Sequence, residues 1–452
     1  MRRIIISGTG SGCGKTTVVC ALLMALKKRG LDVSSFKCGP DYIDTMFHEK
    51  AIGTSSYNLD SFFCDDDTLC CILDEFSRNS DISVIEGVMG YYDGNADGKG
   101  SAYSVSQITD TKSVIVIDCK GMSASIGAVM KGFLSFRENN NIIGFIFNRL
   151  PLSLSDTVKN LCTELGTEFL GIMPNNSFTF ESRHLGLVTA DEITDIKSRL
   201  SELSELAEKN ILIDRIAELS ESFPLSYTLP EISRTFTDKK PVIAVAKDNA
   251  FCFIYKENIN LLEKLGCEIK YFSPLDDDEI PENTDGIILC GGYPELYTKR
   301  LWENRNIITS IRKAVKKGMP IIAECGGFMY LHTVMESCDG TEYGMADIIR
   351  GKAFKTDKLQ RFGYITMTAQ CDSLIAEKGE KIKAHEFHYW DSTNCGNGFT
   401  AVKSNGKQWE CGVVSDTMYC GFPHLYFYGC ISAVKRFVSK CAEYGRLKNE
   451  EN

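Results

Sequence analysis

No stretch of this 452-residue chain is long and apolar enough to span a membrane; the longest apolar runs, such as Ser113 to Asp118 (SVIVID) and Asp285 to Cys290 (DGIILC), are the size of strands. The opening MRRIIISG carries no apolar signal segment. There is no internal repeat and no low-complexity tract, which excludes solenoid, fibrous and disordered architectures. Positive charge is in short supply. Fifty Lys and Arg stand against 60 Asp and Glu, a formal net charge of −10, and this disfavours broad nucleic-acid binding through phosphate neutralisation. The 19 cysteines lack the spacings of a structural metal site, the pair Cys70 and Cys71 being adjacent rather than a CxxC. Scattered over a long chain, they read as reduced thiols of a soluble, cytoplasmic protein. Any anionic ligand must therefore be met locally.

What is present is α/β grammar. Short β-branched runs at Arg3 to Ser7, Asp32 to Lys37, Ile82 to Glu86, Val114 to Asp118 and Ile142 to Asn148 alternate with helical patterns, which predicts a doubly wound parallel sheet. From Asp191 to about Leu219 the chain becomes charged and helix-favouring, and from Glu221 to Lys240 it holds Pro224, Pro230 and several Ser and Thr. A second series then runs through Val242 to Ala246, Glu268 to Phe272, Gly286 to Cys290 and Pro320 to Glu324. The expected organisation is a nucleotide- and substrate-binding domain over 1–190, a helical connector and linker over 191–240, a second α/β domain over 241–440 and a tail over 441–452, frayed from Gly445 onward.

The first chemistry-bearing segment is GTGSGCGKTT, Gly8 to Thr17, between a strand and a helix. Gly8, Gly10, Gly12 and Gly14 let backbone N–H groups turn toward a polyphosphate, Lys15 reaches it, Thr16 can hold Mg²⁺ and Thr17 completes the turn, so the expected ligand is ATP with Mg²⁺. Gly8 and Gly14 lie six positions apart where the common P-loop has five, and this longer loop resembles the dethiobiotin synthetase branch. Lys37, Asp41 and Asp44 in SFKCGPDYIDTMFH, and Glu86 and Asp93 in IEGVMGYYDG, fall near the carboxyl ends of predicted strands, where open α/β sheets bind ligands. These positions suggest Thr16, Asp41 and Glu86 around Mg²⁺, Lys15 and Lys37 on the γ-phosphate, and Asp44 and Asp93 orienting an acceptor. Asn148, ending its strand, is either an adenine partner or a polar cap.

In the second half, PIIAECGGFMYL places Cys325 on a strand-to-helix turn, where a helix N-terminus favours the thiolate. Gly291 and Gly292 in CGGY can form an oxyanion hole, and His424 in GFPHLYF is the preferred base. His385 and His388 in AHEFHYW have HxxH spacing, but without a third ligand a substrate or interdomain surface is the better reading. His48 and His184 are candidates for anion binding, and His332 reads as an ordinary helix position.

Nine segments together carry a resemblance: GTGSGCGKTT, FKCGPDYID, IEGVMGYYDG, SRHLGLV, AVAKDNAFCFIYKENINLL, CGGYPELY, AECGGFMYL, AHEFHYW and HLYF. In this order, over nearly the whole length, they resemble the cobyrinic acid a,c-diamide synthases of the cobyrinate and cobyric acid synthase family. The resemblance implies a dethiobiotin-synthetase-like ATPase followed by a class I glutamine amidotransferase. It also implies glutamine hydrolysis at Cys325 with His424, and amidation of the a and c acetates of cobyrinic acid through an acyl phosphate. The implied partners are cobyrinic acid or a related tetrapyrrole, L-glutamine and ATP, with a homodimer compatible and neither nucleic acid nor membrane involved. Nickel-sirohydrochlorin and hydrogenobyrinic acid stay open as substrates. A deviant P-loop partitioning ATPase is the different-class alternative, but it calls for a second lysine early in the loop. Two positions depart from pattern. Tyr426 stands where the class I triad has an acid, so a Cys/His dyad is expected; Trp390 stands where a small hydroxyl residue is expected, which bears on the substrate pocket.

Overall fold

The computed structural model describes residues 2–450 apart from 96, 176–181, 184–185, 188–195, 235 and 237–239. The chain forms two compact units, Met1–Pro230 and Glu231–Asn452.

In the first unit seven strands form one sheet: β1 (Arg3–Gly8), β2 (Val33–Cys38), β3 (Ser55–Leu59), β4 (Ile82–Glu86), β5 (Ser113–Asp118), β6 (Ile142–Asn148) and β7 (Glu168–Met173). Their order is β3-β2-β4-β1-β5-β6-β7 and every pairing is parallel. All central strands are buried, which is why they read as unbroken apolar runs rather than alternating ones. The parallel direction brings Gly8, Cys38, Glu86, Asp118 and Asn148 to one edge of the sheet, and the loops leaving that edge carry the site.

The segment expected to be a connector belongs to this unit. Helices Ile196–Asn210 and Ile213–Leu219 place Leu200, Leu203, Ala207 and Ile216, with Ile211 from the connection between them, in one core with Val18, Leu22 and Ile4. Burying each of those leucines contributes roughly 1.5–3 kcal/mol, so the helices are held on the sheet rather than left as a tether. The division after Pro230 falls within the expected Glu221 to Lys240 linker, and the 191–219 helices go with the first unit.

The second unit is built on a six-stranded sheet in the order Glu268–Phe272, Val242–Ala246, Gly286–Leu289, Ile321–Glu324, Met418–Gly421 and Val413–Ser415, parallel except for the last pair. Its core gathers Ala244, Ile287, Leu289, Ile321 and Phe328. A second, largely antiparallel sheet, dominated by the long strands Ile349–Ala369 and Lys381–Ser392, was not expected. The fraying expected from Gly445 is not seen as far as Glu450, through which helix Ile431–Glu450 runs. Among the described residues no helix is long and apolar enough to cross a membrane.

Candidate functional site

Between β1 and helix α1 (Lys15–Lys28) the glycine loop turns through Gly12 and Gly14, at φ 74° and 92°. Gly14 is the cap residue of α1 and supplies no side-chain bond, and the first turn holds no acid. Its backbone N–H groups are thus left for an anion. A methyl group at Gly14 would lie 2.1 Å from the Asn148 amide nitrogen. Asn148 donates to the Cys13 carbonyl at 2.9 Å, and Arg149 donates to the Gly12 carbonyl at 3.2 Å. Asn148 therefore braces the loop with one N–H, and its amide oxygen and second N–H are not used in that contact. Lys15 is buried, its ammonium bonded to the Gly10 carbonyl at 2.8 Å, and burial lowers its pKa.

Behind the loop lies a buried charge cluster. Thr16 donates to Glu86 Oε1 at 2.7 Å; Lys37 contacts the same oxygen at 2.9 Å and pairs with Asp44 on its other side. Burial alone would lower the Lys37 ammonium, but Asp44, Glu86 and Asp41 together push it well above its ordinary value. The reciprocal holds for Asp44, which burial would raise and Lys37 brings down. Lys37 is thus paired with two carboxylates beneath the loop.

Asp41 accepts from the N–H groups of Ile43 and Asp44 and so caps helix α2 (Tyr42–Phe47). Burial, reinforced by Asp44, raises its carboxyl to about 7. Asp93 is exposed and accepts from Gly90 N–H at 2.8 Å, closing its own loop and standing outside the cluster's bonding. His48 is fully buried with Nε2 3.4 Å from Glu86, and burial lowers its pKa. Burial disfavours the charged imidazole and so weakens any pull of His48 on an anion; His184 lies outside the described residues.

In the second unit the strand Ile321–Glu324 delivers Cys325 onto a sharp turn, φ 46° and ψ −103°, before the short helix Gly326–Tyr330. That strained backbone is the geometry of a nucleophile elbow. The Cys325 N–H is anchored to the Gly421 carbonyl at 2.8 Å. Gly291 and Gly292 lie between the elbow and the histidine. A Cβ on Gly326 would be 3.1 Å from the Gly292 nitrogen, and a Cβ on Gly291 would be 2.5 Å from His424 Cε1. Only glycine permits this approach.

The expectation of a depressed thiol is corrected. Burial pushes the Cys325 thiol well up, with Glu295 adding to the effect and the Gly326 N–H opposing it. A five-residue helix is too short to reverse the cost of burying a thiolate. Burial thus favours the thiol over the thiolate, and attack calls for a base to take its proton.

Two acids here escaped the sequence reading. Glu324 Oε2 lies 3.5 Å from His424 Nδ1, while its Oε1 accepts from Leu425 N–H at 3.1 Å. Glu295 is buried one turn after the Gly291–Gly292 pair, and burial raises its carboxyl to about 7.

The remaining expectations need revision. His385 and His388 sit three apart on one strand and so face opposite sides. His388 stacks on Phe422 at 3.9 Å and bonds to Glu386 at 3.1 Å; His385 is buried beside Tyr364 and lowered to about 3 by burial and His424. Neither forms a surface. His332 begins a strand, fully buried between the Phe328 carbonyl and Ser392. Trp390 is a core residue whose indole N–H donates to the Glu336 carbonyl at 3.0 Å.

A phosphate-binding loop on a parallel sheet and a cysteine elbow with histidine and paired glycines, on one chain, define a nucleotide-binding, glutamine-dependent amidating ligase. Residues 4–187 match the CobQ/CobB/MinD/ParA nucleotide binding domain, and residues 242–429 match the CobB/CobQ-like glutamine amidotransferase domain. Cobyrinate a,c-diamide synthase of Caldanaerobacter subterraneus subsp. tengcongensis is 36% identical over 98% of this chain and 99% of its own length. The enzymes of the same name from Listeria innocua and Thermoplasma volcanium are each 37% identical, over 95% and 99% of this chain and 97% and 98% of their own lengths. The chain belongs to the cobyrinate a,c-diamide synthase family.

Proposed function

We propose that this protein amidates the a and c acetate carboxylates of cobyrinic acid, using ATP to activate each acid and glutamine as the nitrogen source. The observation that carries the reading is the coexistence of an uncapped P-loop helix, whose half-buried Thr16 bonds to a buried Glu86–Lys37–Asp44 cluster, with a Cys325 elbow flanked by His424 and two close-packed glycines. The first arrangement suits phosphoryl transfer and the second suits amide hydrolysis, and an amidoligase needs both.

In the glutaminase half, Cys325 sulfur attacks the glutamine carboxamide carbon as His424 takes the thiol proton. The oxyanion is met by N–H groups of Gly291 and Gly292. The C–N bond breaks, His424 returns the proton to the leaving nitrogen, and ammonia departs. Water then releases glutamate and restores the thiol. In the ATP half, an acetate oxygen of the substrate attacks the γ-phosphorus, giving an acyl phosphate and ADP. Ammonia displaces phosphate to leave the amide. Lys15 and the α1 N-terminus hold the phosphates, Lys37 pairs with Asp44 and Glu86 and holds them in place, and Asp44 and Asp93 are assigned to the acceptor.

The residues fit Mg²⁺. Glu86 Oε2 is buried and accepts no hydrogen bond, and it lies in the same carboxylate that takes the Thr16 hydroxyl. Among the described residues no group of three or more His, Cys, Asp or Glu can hold a metal alone. Mg²⁺ customarily takes one or two carboxylates and completes its shell with phosphate oxygens and water. Thr16 and Glu86 would hold it, with Asp41 contributing its uncapped oxygen, and the ion would neutralise charge on the triphosphate. The free state of all 19 cysteines accords with a cytoplasmic setting.

The test is incubation of the purified protein with cobyrinic acid, ATP, Mg²⁺ and glutamine, followed by mass spectrometry. Mono- and then diamide should accumulate, with labelled carboxylate oxygen recovered in phosphate. Amidation of nickel-sirohydrochlorin or hydrogenobyrinic acid in preference to cobyrinic acid would reassign the substrate. Absence of label in phosphate would remove the acyl phosphate.

A further inference from the structure

The acid that a class I amidotransferase carries two residues after its histidine is replaced here by Tyr426, a buried ring standing edge-on to Tyr255 at 5.1 Å. The imidazole nevertheless has a carboxylate beside it. We propose that Glu324, the residue immediately before the nucleophile, is the positioning residue of the glutaminase site: it holds the His424 imidazole in the tautomer and orientation that accepts the Cys325 proton. This rests on the glutaminase reading given above.

The topology explains how one strand end supplies both groups. Strands Ile321–Glu324 and Met418–Gly421 are parallel partners with Glu324 opposite Gly421, three residues before His424. The chain leaving Gly421 therefore returns past the end of the nucleophile strand. Successive side chains at a strand end diverge, so Cys325 and Glu324 approach His424 from different directions. Glu324 is 6% exposed, and its two oxygens have separate tasks: Oε1 accepts from the Leu425 N–H at 3.1 Å, and Oε2 lies 3.5 Å from His424 Nδ1. The first contact fixes the carboxylate against the histidine strand. The second favours a proton on Nδ1 and leaves Nε2 to receive the thiol proton. A spacing of 3.5 Å is long for a resting hydrogen bond, and such contacts tighten when a substrate is bound. His385, paired with His424 across the strands, is kept neutral by burial and does not compete for the carboxylate.

The competing explanation is a strap, in which Glu324 only ties down Leu425. Glu324→Gln separates the two, because its amide oxygen still accepts from Leu425 N–H while the charge is gone. The positioning role predicts that kcat for glutamine hydrolysis falls at least about 100-fold with KM for glutamine little changed. Ammonium-dependent amidation should stay at the wild-type rate. Glu324→Ala should lose a similar factor. A Glu324→Gln variant within a few-fold of wild type, or one that changes only KM, overturns the proposal. A second measurement needs no variant of Glu324. Nitrogen-labelled histidine spectra of the wild-type protein, assigned with His424→Gln, should show the His424 proton on Nδ1, and an Nε2–H tautomer overturns the proposal. Cys325→Ala runs in parallel: if it retains glutamine hydrolysis the glutaminase reading itself has failed, whereas its loss beside an active Glu324→Gln sinks only the role of Glu324.

Discussion

Replacing Lys37 by methionine removes the cation from a cluster whose carboxylates are almost wholly shielded: Glu86 is 0% and Asp44 6% exposed. Methionine fills most of the volume but removes the ammonium that pairs directly with both acids, leaving the more weakly acting Lys15 and His48, whose charged form burial disfavours. Stranding one member of a buried ion pair costs about 3–5 kcal/mol. For a unit of this size each kcal/mol lowers the melting midpoint by about 2–4 °C, so the first unit should melt about 6–20 °C lower. The pH dependence distinguishes this from a packing defect. In the wild type, Asp44 is held below its ordinary value and Lys37 above its own. Asp44's contribution is present above the usual carboxylate range and fades as pH falls through its depressed folded value. Lys37's is present below its ordinary value and fades only as pH rises through its elevated one. Near neutrality both are constant. In Lys37→Met the largest opposition to burial is gone, with His48 and Lys15 left as the weaker opposing influences, so the Asp44 carboxyl is expected to rise above its unfolded value and the variant to gain stability as pH falls. Urea unfolding at pH 5 and pH 8 should show a deficit that narrows at pH 5. A variant within about 1 kcal/mol of wild type at both pH values, or a deficit equal at both, would refute the reasoning.

Two further perturbations probe the loop and the elbow. Gly14→Ala forces a side chain into φ 92° and against the Asn148 amide, so ATP binding should weaken at least tenfold by calorimetry while glutamine hydrolysis persists; unchanged affinity would show that the loop tolerates a Cβ. Glu295 is raised from an ordinary 4.5 to about 7. The folded protein therefore holds this proton more tightly than the unfolded chain, and stability falls as pH rises from about 4.5 through 7, by up to about 3 kcal/mol. Glu295→Gln should lose that slope and gain stability relative to wild type at pH 8, checked by urea midpoints; parallel wild-type and variant profiles would exclude a buried, neutral Glu295.

The elements most legible in the sequence were those whose signal is local. The unbroken apolar runs of β1, β4, β5 and β6 and the glycine loop follow from burial on both faces and from backbone turning, and both were read within a residue or two. Helix Ile196–Asn210 was recognised as a helix, but the surface its apolar stripe covers, formed in part by Val18 and Leu22, cannot be seen from its own pattern. Strand Ile349–Ala369 escaped because its buried and open positions are interrupted by glycine and by charged residues. At the sites, Cys325 announced itself through strand, turn and paired glycines. Glu324 did not, since AECGG reads as a strand end and the acid's partner lies a hundred positions away. A search for the displaced acid, prompted by Tyr426, would have had that glutamate as its nearest candidate. The charge state of Cys325 was misjudged for a different reason: local helix geometry was visible, and the depth of burial that outweighs it was not.

The central claim is that one unit frees ammonia at a sulfur nucleophile while the other activates the acid that captures it. Its most direct test is the rate of ATP-dependent amidation of cobyrinic acid by Cys325→Ala with glutamine and then with ammonium. The division predicts that glutamine-supported amidation disappears and ammonium-supported amidation continues at close to the wild-type rate. Equal loss with both donors, or continued use of glutamine, would contradict it.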